Sequence, residues 1–397
     1  MCPELYLRAA SAPEGLETGM KAIGVCQEGI DIMVPKMRHF VFMARDLDPR
    51  GANILKQEML AVGGEAAISY HAISDISKPT DCLLSGTERQ FSIAMRKLEA
   101  QPFGLKPLAA ELDRAVRNII CPKSMSFGPL KLDRTRVMGI VNITPDSFSG
   151  DGMKDTGTAI ERALAMEKDG ADIIDIGGES TRPGADPVSP KEETARVIPV
   201  IKALSGKLKI PISIDTRKPE VAEAALKAGA SIVNLVGGIR DKKMSRLLAK
   251  KGAPVILMHM QGEPSDMQDS PQYRDVMDDI VSELRAQVKL AVEAGIDPRK
   301  IAVDPGIGFG KTAGHNLDIV RRLGELRIMG MPILIGLSRK SFIGKVLDSE
   351  PDDRLEGSLA GAVLAAANGA DILRAHDVAE TVRAARVADA VLEQRGL

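Results

Sequence analysis

The chain has no tryptophan, and aromatic residues make up only 3% of its 397 positions. Its core must therefore be built mainly from aliphatic side chains. No apolar run approaches the roughly 18 residues that a membrane-spanning helix needs. The longest run, around Leu359 to Ala367, is mostly alanine and is interrupted by Gly361. The first residues lack the basic and apolar regions of a secretory signal, so we expect a cytoplasmic protein without a membrane span.

The sequence also lacks a charge excess and a cysteine cluster. Its 53 basic and 54 acidic side chains leave a net charge of −1, so nucleic acid is not an expected partner. The four cysteines form no Cys-x-x-Cys pair, and no histidines are paired at zinc-ligand spacing. This usage predicts reduced thiols. No Gly-x-Gly-x-x-Gly motif follows a first strand, so a dinucleotide-binding fold has little support.

Residues 1–125 mix strand-like and helix-like segments and predict a smaller α+β domain. Strands are expected at His39–Ala44, Ala66–Tyr70 and Cys82–Leu84, and helices from Asp48, over Ser92–Gln101 and over Pro107–Ile119. The segment shows no phosphate loop, metal-ligand cluster or nucleophile arrangement, so its role stays open. We interpret Pro122 to Asp133 as a linker.

Eight aliphatic segments alternate with helical segments over residues 134–397. The predicted strands are Val137–Ile143, Asp172–Ile176, Pro211–Ile214, Ser231–Val236, Pro254–Met258, Ile301–Val303, Pro332–Ile335 and Asp371–Leu373. Several of the helices begin after a capping residue or proline and end at glycine. Eight such units match a (β/α)8 TIM barrel in count and length. An open, doubly wound sheet is the competing architecture.

Polar side chains follow all eight predicted strands. They are Asn142, Asp175 with Glu179, Asp215 with Arg217, Asn234, His259, Asp304, Ser338 with Lys340, and Arg374 with His376. Packing alone does not require a polar residue at every strand end. Because (β/α)8 barrels carry their active sites at the carboxyl ends of the strands, we predict an active site there.

One group of these residues is cationic. Lys340, Arg374 and His376 come from the last two strands, and Asn142 comes from the first, which adjoins them in a closed barrel. Arginine provides a planar fork for phosphate oxygens, so the group suits a pyrophosphate accompanied by Mg²⁺, which binds few protein oxygens. The alternative is that Arg374 and His376 form a surface pair with Asp377.

A second group is acidic or amide. Asp215, Asn234 and Asp304 could accept hydrogen bonds from the N–H groups of a flat heterocycle. Asp215 could also offset positive charge that develops on the ligand. The alternative is that these carboxylates are structural and accept only backbone N–H groups.

Two glycine-rich loops complete the predicted site. Gly177–Ala185 carries Arg182, and Asp304–Lys311 carries Phe309. Glycine allows the backbone to approach a ligand closely, and an aromatic residue in such a loop suggests ring stacking. The alternative for Phe309 is a loop anchor packed against the barrel.

Taken in order, these residues resemble dihydropteroate synthase, a pterin-binding (β/α)8 family, over essentially all of residues 136–397. The matching motifs are Asn142-Ile-Thr-Pro-Asp-Ser-Phe148, Asp175-Ile-Gly-Gly-Glu-Ser-Thr-Arg-Pro-Gly184, Ile214-Asp-Thr216, Met258-His-Met260, Asp304-Pro-Gly306 with Gly308-Phe-Gly-Lys311, Ser338-Arg-Lys340 and Arg374-Ala-His-Asp377. The family joins 6-hydroxymethyl-7,8-dihydropterin pyrophosphate to p-aminobenzoate and releases pyrophosphate with Mg²⁺.

The resemblance implies roles for several of the matching residues. The catalytic residues would be Asp215, Lys340 and Asn142, and the pterin would be held by Asp215, Asn234, Asp304 and Lys340. The p-aminobenzoate pocket would be shaped by Thr181, Arg182, Pro183, Phe309 and Ser338. Pyrophosphate would be bound by Asn142, Arg374 and His376, with Asn142 contacting Mg²⁺. The resemblance also implies a homodimer and sulfonamide competition with p-aminobenzoate.

Two residues depart from the family pattern. Leu235 stands where a second carboxylate is common, and Arg217 stands where smaller residues are common. Arg217 could contact the phosphate of a ribosylated arylamine, the second substrate of a related synthase in methanopterin synthesis. A methyl-tetrahydropterin:corrinoid methyltransferase and a non-enzymatic pterin-binding protein are the remaining competing functions.

Overall fold

The computed structural model describes residues 13–120, 126–143, 156–180, 187–239, 242–263 and 267–392. The chain divides into two compact units, Met1–Cys121 and Pro122–Leu397. Within the described ranges, no helix is both long enough and apolar enough to cross a membrane.

The first unit is the predicted smaller α+β region. Its elements are α1 (Pro13–Ala22), α2 (Gln27–Met37), β1 (His39–Leu47), α3 (Pro49–Ala61), β2 (Glu65–Ile68), β3 (Thr80–Thr87), α4 (Glu88–Leu98) and α5 (Leu105–Ile120). The antiparallel sheet has the order β1-β3-β2. Leu55, Phe91 and Leu105 from three of the helices pack in one core with Leu84 of the sheet. This burial of one sheet face against helices is what makes the unit compact.

Helix α4 begins four residues earlier than the sequence predicted. Thr87 ends β3 and accepts the backbone N–H of Gln90 in a capping box, in which the Gln90 side chain returns a bond to the Thr87 backbone. A cap of this kind satisfies two backbone N–H groups that the first turn would otherwise leave unpaired. Apolar periodicity alone places the start at Ser92, because it takes no account of this cap.

The second unit is a (β/α)8 barrel. Its strands are β6 (Arg136–Asn142), β7 (Ile173–Gly177), β8 (Ile212–Asp215), β9 (Ile232–Leu235), β10 (Val255–Met258), β11 (Ile301–Asp304), β12 (Leu334–Gly336) and β13 (Ile372–Ala375). They are parallel in the order β11-β10-β9-β8-β7-β6-β13-β12. A parallel bridge between Val303 and Ile333 joins the two ends of this series. The barrel prediction is confirmed, and the open sheet is excluded.

Helices follow the barrel strands along the chain. They are α6 (Thr156–Lys168), α7 (Pro190–Ser205), α8 (Pro219–Ala228), α9 (Lys242–Lys251), α10 (Val276–Glu293), α11 (Ala313–Arg322), α12 (Ser341–Leu347), α13 (Leu355–Ala367) and α14 (Val378–Val391). Capping residues and prolines determine where several of these helices begin. Ser189 and Asp275 cap α7 and α10, and proline is the first residue of α7 and α8.

The interpretation of residues 122–133 as a linker was wrong for its described part. Ser126–Phe127 (β4) and Leu130–Lys131 (β5) form a hairpin. Its residues Phe127 and Leu130 share one buried cluster with Met138, Ile173, Ile232, Ile256, Ala302, Leu334 and Ile372, which lie at or near the starts of barrel strands. Gly128 has φ +57°, and a Cβ there would lie 2.6 Å from Pro254. The hairpin therefore packs at the amino end of the barrel, and the carboxyl end is left for a ligand.

Because successive side chains of a strand lie on opposite faces, three polar residues point into the barrel. Ile174, Ile176 and Ile214 belong to the cluster that also contains apolar side chains of α7 and α8. Side chains alternate between the two faces of a strand, so Asp175 and Asp215, which lie next to these isoleucines, point inward. Val233 and Leu235 place Asn234 inward by the same argument.

Candidate active site

An ion-pair network crosses the barrel at its carboxyl end. Arg374 Nε donates to Asp175 Oδ2 at 2.7 Å, and Arg374 Nη2 donates to Asp215 Oδ2 at 2.9 Å. Asn234 Nδ2 donates to Asp175 Oδ2 at 3.0 Å. These four side chains come from β13, β7, β8 and β9. Since an unpaired charge is costly in a buried site, Arg374 is what allows two carboxylates to lie together here.

Burial affects the ionisation of this network. It raises the pKa of the Asp215 carboxyl to about 7; the Arg374 guanidinium opposes this rise and the Asp175 carboxylate adds to it. Burial lowers the pKa of Arg374, but Asp175 and Asp215 outweigh it, so the net shift is upward. Arg374 therefore stays charged. In the ion pair of Arg374 with Asp215, the Asp215 carboxyl is the group that titrates near neutral pH.

Asp175 is a candidate site residue to which the sequence prediction gave no role. It is fully buried, and its Oδ1 has no hydrogen-bond partner among the described residues. A buried acceptor without a partner is costly unless a ligand or water completes it. The signal is present in the sequence, because Asp175 is the one charged residue between Ile173-Ile174 and Ile176.

Asn142 lies beside Asp215 at the end of β6. An added Cβ at Gly177 would lie 3.1 Å from Asn142 Oδ1 and 3.9 Å from Asp215 Oδ2. The amide oxygen and the carboxylate therefore flank the same glycine, and a side chain there would crowd the amide oxygen. The predicted loop from Thr144 to Ser149 lies outside the described residues.

Asp304 ends β11 at the same rim. Its Oδ1 accepts the N–H of Gly306 at 2.7 Å, which partly supports the structural alternative for this residue. Burial raises the pKa of the Asp304 carboxyl to about 6, while the Gly306 N–H and the Lys340 charge oppose the rise. Gly306 has φ +69°, and a Cβ there would lie 1.9 Å from His259 O, so only glycine fits this turn.

Phe309 and Lys340 contact each other. The Lys340 Nζ lies 4.4 Å from the Phe309 ring centroid, a cation–π distance. The half-buried Phe309 also packs against a cluster formed by Val236, Met258, Met260 and Met267. The packing supports the alternative that the ring is a loop anchor, and the predicted stacking on a ligand stays a prediction.

Ser338 and His376 form a second contact at this rim. His376 Nδ1 lies 3.1 Å from Ser338 Oγ, and the His376 backbone N–H donates to the same oxygen at 3.2 Å. Burial and the Arg374 charge hold the pKa of His376 well below its usual value, so the ring is neutral. Asp377 pairs with Arg339 at 2.6 Å, and Arg374 pairs with Asp175 and Asp215, so the alternative of a surface pair of Arg374 and His376 with Asp377 is wrong.

Arg217 is paired with acidic side chains. Its Nε lies 3.4 Å from Glu179 and its Nη1 lies 3.3 Å from Glu263. Lys218 also reaches Glu179 at 3.0 Å and Glu193 at 2.6 Å. A substrate phosphate at Arg217 would have to compete with two carboxylates. Of the remaining predicted residues, Thr181, Arg182 and Pro183 lie outside the described residues.

Among the described residues, the donor set suits a magnesium ion that also binds a diphosphate. Across the described residues, no group of three or more His, Cys, Asp and Glu side chains is arranged to hold a metal ion. Asn142 offers one neutral oxygen beside Gly177. Mg²⁺ commonly binds one or two protein oxygens together with substrate phosphates and water, so the residues present are compatible with it.

Comparison with known proteins identifies similar chains. The family described as "Pterin binding enzyme" matches residues 138–376. A probable bifunctional folylpolyglutamate synthase/dihydropteroate synthase of Haloferax volcanii is 43% identical over 353 residues, covering 85% of this chain and 42% of that protein. Dihydropteroate synthase of Escherichia coli is 46% identical over 267 residues, covering 67% of this chain and 95% of that protein.

A solved structure is similar as well. The crystal structure of dihydropteroate synthase from Clostridium difficile in the presence of pteroic acid is 48% identical, with a TM-score of 0.62, covering 67% of this chain and 98% of that chain. The chain spans less than half the length of the Haloferax protein. Because the barrel unit is only residues 122–397, a match over 85% of the chain must also include part of the first unit.

Proposed function

The chain belongs to the dihydropteroate synthase family of pterin-binding enzymes, and from that premise we propose that it joins 6-hydroxymethyl-7,8-dihydropterin pyrophosphate to p-aminobenzoate. The products are 7,8-dihydropteroate and pyrophosphate. The observation that carries the proposal is the buried Asp175–Arg374–Asp215 network at the carboxyl rim. It combines acceptors for a heterocycle with a cation for a diphosphate.

The pterin is assigned to the acidic side of this rim. Asp215 and Asn234 point into the barrel, and Asp304 ends a strand at the same rim. Asp175 adds an acceptor oxygen that has no hydrogen-bond partner among the described residues. Carboxylates accept paired N–H donors strongly in a desolvated site. Lys340, which lies over Phe309, borders the same space.

The diphosphate is assigned to Arg374, His376 and Asn142. Arg374 already donates to two carboxylates, so a bound diphosphate shares the guanidinium with them. The neutral His376 ring can donate a hydrogen bond to a phosphate oxygen. Mg²⁺ bound to the diphosphate and to Asn142 would neutralise charge on the leaving group.

The reaction we propose breaks the bond between the pterin methylene carbon and the diphosphate oxygen, and the electron pair leaves with pyrophosphate. The arylamine nitrogen then supplies the electron pair of the new C–N bond and loses a proton. Positive charge on the pterin methylene is stabilised by the Asp215 carboxylate. Phe309 and Ser338 border the arylamine pocket, with Thr181, Arg182 and Pro183 predicted to complete it.

A pyrophosphate-release assay tests the proposed activity. With Mg²⁺ and the pterin pyrophosphate, we expect turnover with p-aminobenzoate, competition by a sulfonamide, and slower turnover with a ribosylated arylamine phosphate. The preference follows from Arg217, whose charge is held by Glu179 and Glu263. Faster turnover with the ribosylated amine would assign the chain to the related synthase. Methyl transfer without pyrophosphate release would assign it to the methyltransferases.

We expect catalysis to reside in the barrel unit alone. Every described residue assigned to the site lies in Pro122–Leu397, and the E. coli relative covers only 67% of this chain. A variant lacking residues 1–121 should therefore keep kcat within about threefold, because no transition-state contact is removed. The pyrophosphate-release assay measures this, with circular dichroism as the folding control. A folded, inactive variant would place an essential residue in the first unit.

Homodimer formation and a cytoplasmic location are part of the proposal. Leu364 of α13 and Val387 and Val391 of α14 are more than half exposed, and a second copy could cover them. Cys26 and Cys82 are free thiols, which suits a reducing compartment. Light scattering on the purified protein tests the dimer.

A further inference from the structure

The loop between β11 and α11 is held by side chains at three consecutive carbonyls. Gln268 Nε2 donates to Gly308 O at 2.6 Å, Lys311 Nζ donates to Phe309 O at 2.9 Å, and Tyr273 Oη donates to Gly310 O at 2.8 Å. Phe309, at the centre of this segment, places its ring under Lys340. The position of the ring therefore depends on these backbone bonds.

Lys311 is the buried member of the three donors. It is 3% exposed, and the proposed reaction gives it no role. Its Nζ also lies 2.8 Å from Nδ1 of the buried His259. His259 Nε2 lies 3.2 Å from Glu283 Oε2, and the Glu283 side chain is 40% exposed. A chain of three titratable groups thus runs from the Phe309 carbonyl to the surface.

One protonation pattern satisfies every group in this chain. A charged Lys311 donates to both the Phe309 carbonyl and His259 Nδ1. A neutral His259 then carries its proton on Nε2 and donates to the Glu283 carboxylate. Burial lowers the pKa of His259 despite Glu283, which keeps the ring neutral. The cation and the anion thereby lie at opposite ends of a neutral ring.

Several charges determine how strongly Lys311 holds its proton. The titratable and charged groups around it are Asp304 from β11, Glu283 and His259, Lys340 after β12, and the Tyr273 ring 6.0 Å away. Burial lowers the pKa of Lys311 to about 7, and Asp304 and Glu283 oppose the lowering. The ammonium is therefore present below about pH 7 and is lost as the pH rises above it.

We propose that Lys311 is a positioning residue for the arylamine substrate: tied to the surface through His259 and Glu283, it holds the Phe309 carbonyl and thereby the ring that borders the arylamine pocket. The inference rests on the proposed function, because that function assigns Phe309 to p-aminobenzoate. It adds a residue that touches neither substrate but sets the affinity for one of them. Charge-assisted hydrogen bonds are about twice as strong as neutral ones, so the positioning weakens when Lys311 loses its proton.

Lys311→Met tests the proposal, since it keeps the aliphatic stem and removes the donor. We expect the KM for p-aminobenzoate to rise about tenfold, the effect of losing one charge-assisted bond. The KM for the pterin pyrophosphate should change by less than about twofold. In the wild-type enzyme the KM for p-aminobenzoate should rise between pH 6 and pH 8, about one unit on either side of the Lys311 pKa. The variant should lack this rise.

Glu283→Gln provides a second test that leaves the buried residues in place. Glu283 raises the pKa of Lys311, so its neutralisation should move the midpoint of the KM–pH curve to lower pH. The matched control is Lys289→Met, an exposed lysine on the same helix as Glu283, which should leave both KM values unchanged. An equal rise in both KM values for Lys311→Met, or an unshifted curve for Glu283→Gln, would overturn the proposal. Wild-type turnover separates these results from a failure of the proposed function, because an inactive wild-type enzyme would overturn both.

Discussion

Asp215→Asn is expected to lower kcat by about 10²–10³-fold, since removal of one electrostatic partner of a transition-state charge costs about 2.7–4 kcal/mol. Asparagine keeps the size of the side chain and an oxygen that can accept from Arg374, whose Nη2 lies 2.9 Å from Asp215. The fold should therefore persist, and the loss should appear in kcat more than in the KM for either substrate. Steady-state kinetics with both substrates measures it.

The dependence of kcat on pH is a second, independent test of the role of Asp215. The pKa of Asp215 is raised to about 7 by burial, and only the carboxylate stabilises a cation. In the wild-type enzyme kcat should therefore fall as the pH falls below about 7. Asp215→Asn should lack this acidic limb. Glu223→Gln is the control. Glu223 is an exposed carboxylate on α8, the helix that follows the strand of Asp215, so its substitution should leave the dependence of kcat on pH unchanged. An unchanged kcat in Asp215→Asn would remove Asp215 from the catalytic set.

Arg374→Ala has the second large effect, and it acts on stability as well as on binding. Asp175 is fully buried and the Asp215 side chain is 11% exposed, so the variant leaves two carboxylates without their cation. Removing one partner of a buried ion pair typically costs about 3–5 kcal/mol. Urea unfolding at pH 8 should show a loss of this size. The inhibition constant for pyrophosphate product should rise in parallel, because the guanidinium is a proposed diphosphate contact.

The destabilisation should depend on pH. Arg374 lowers the pKa of the Asp215 carboxyl, so without Arg374 this carboxyl holds its proton more tightly and is neutral in the folded variant at acidic pH. The stability difference between wild type and variant should therefore shrink as the pH falls from 8 to 5. Arg299→Ala is the matched control. Arg299 pairs with Asp297 at 2.7 Å, but its side chain is 87% exposed, and exposed ion pairs contribute about 0–1 kcal/mol to the free energy of unfolding. A loss in Arg374→Ala no larger than in this control would contradict a buried, mutually dependent network.

Much of the barrel is predictable because its signals are local. Aliphatic runs of three to seven residues, glycines before strands, and capping residues before helices follow from backbone conformation and burial within one unit. The ends of the observed strands differ from the predicted ones by at most two residues, as for Ile212–Asp215 against Pro211–Ile214. The carboxyl-end location of the candidate site follows from the parallel alternation alone.

Other features need contacts between distant segments. The hairpin at Ser126–Lys131 resembles a linker in sequence because its two-residue strands carry no usable periodicity. Only its packing with Met138, Ile173 and Ile372 shows where it belongs. The Lys311–His259–Glu283 chain is also invisible in the sequence, since His259 precedes Lys311 by 52 positions and no spacing rule connects them.

The sequence by itself determined the eight-unit barrel, the polar ends of its strands and the family to which the chain is similar. Only the tertiary structure decided how those polar ends combine. Arg374 reaches Asp215 across 159 positions, so residues that the sequence assigns to separate diphosphate and pterin groups form one network. The physical reason is that strand alternation, which decides whether a side chain points inward, is local, whereas closure of the barrel decides which inward side chains meet.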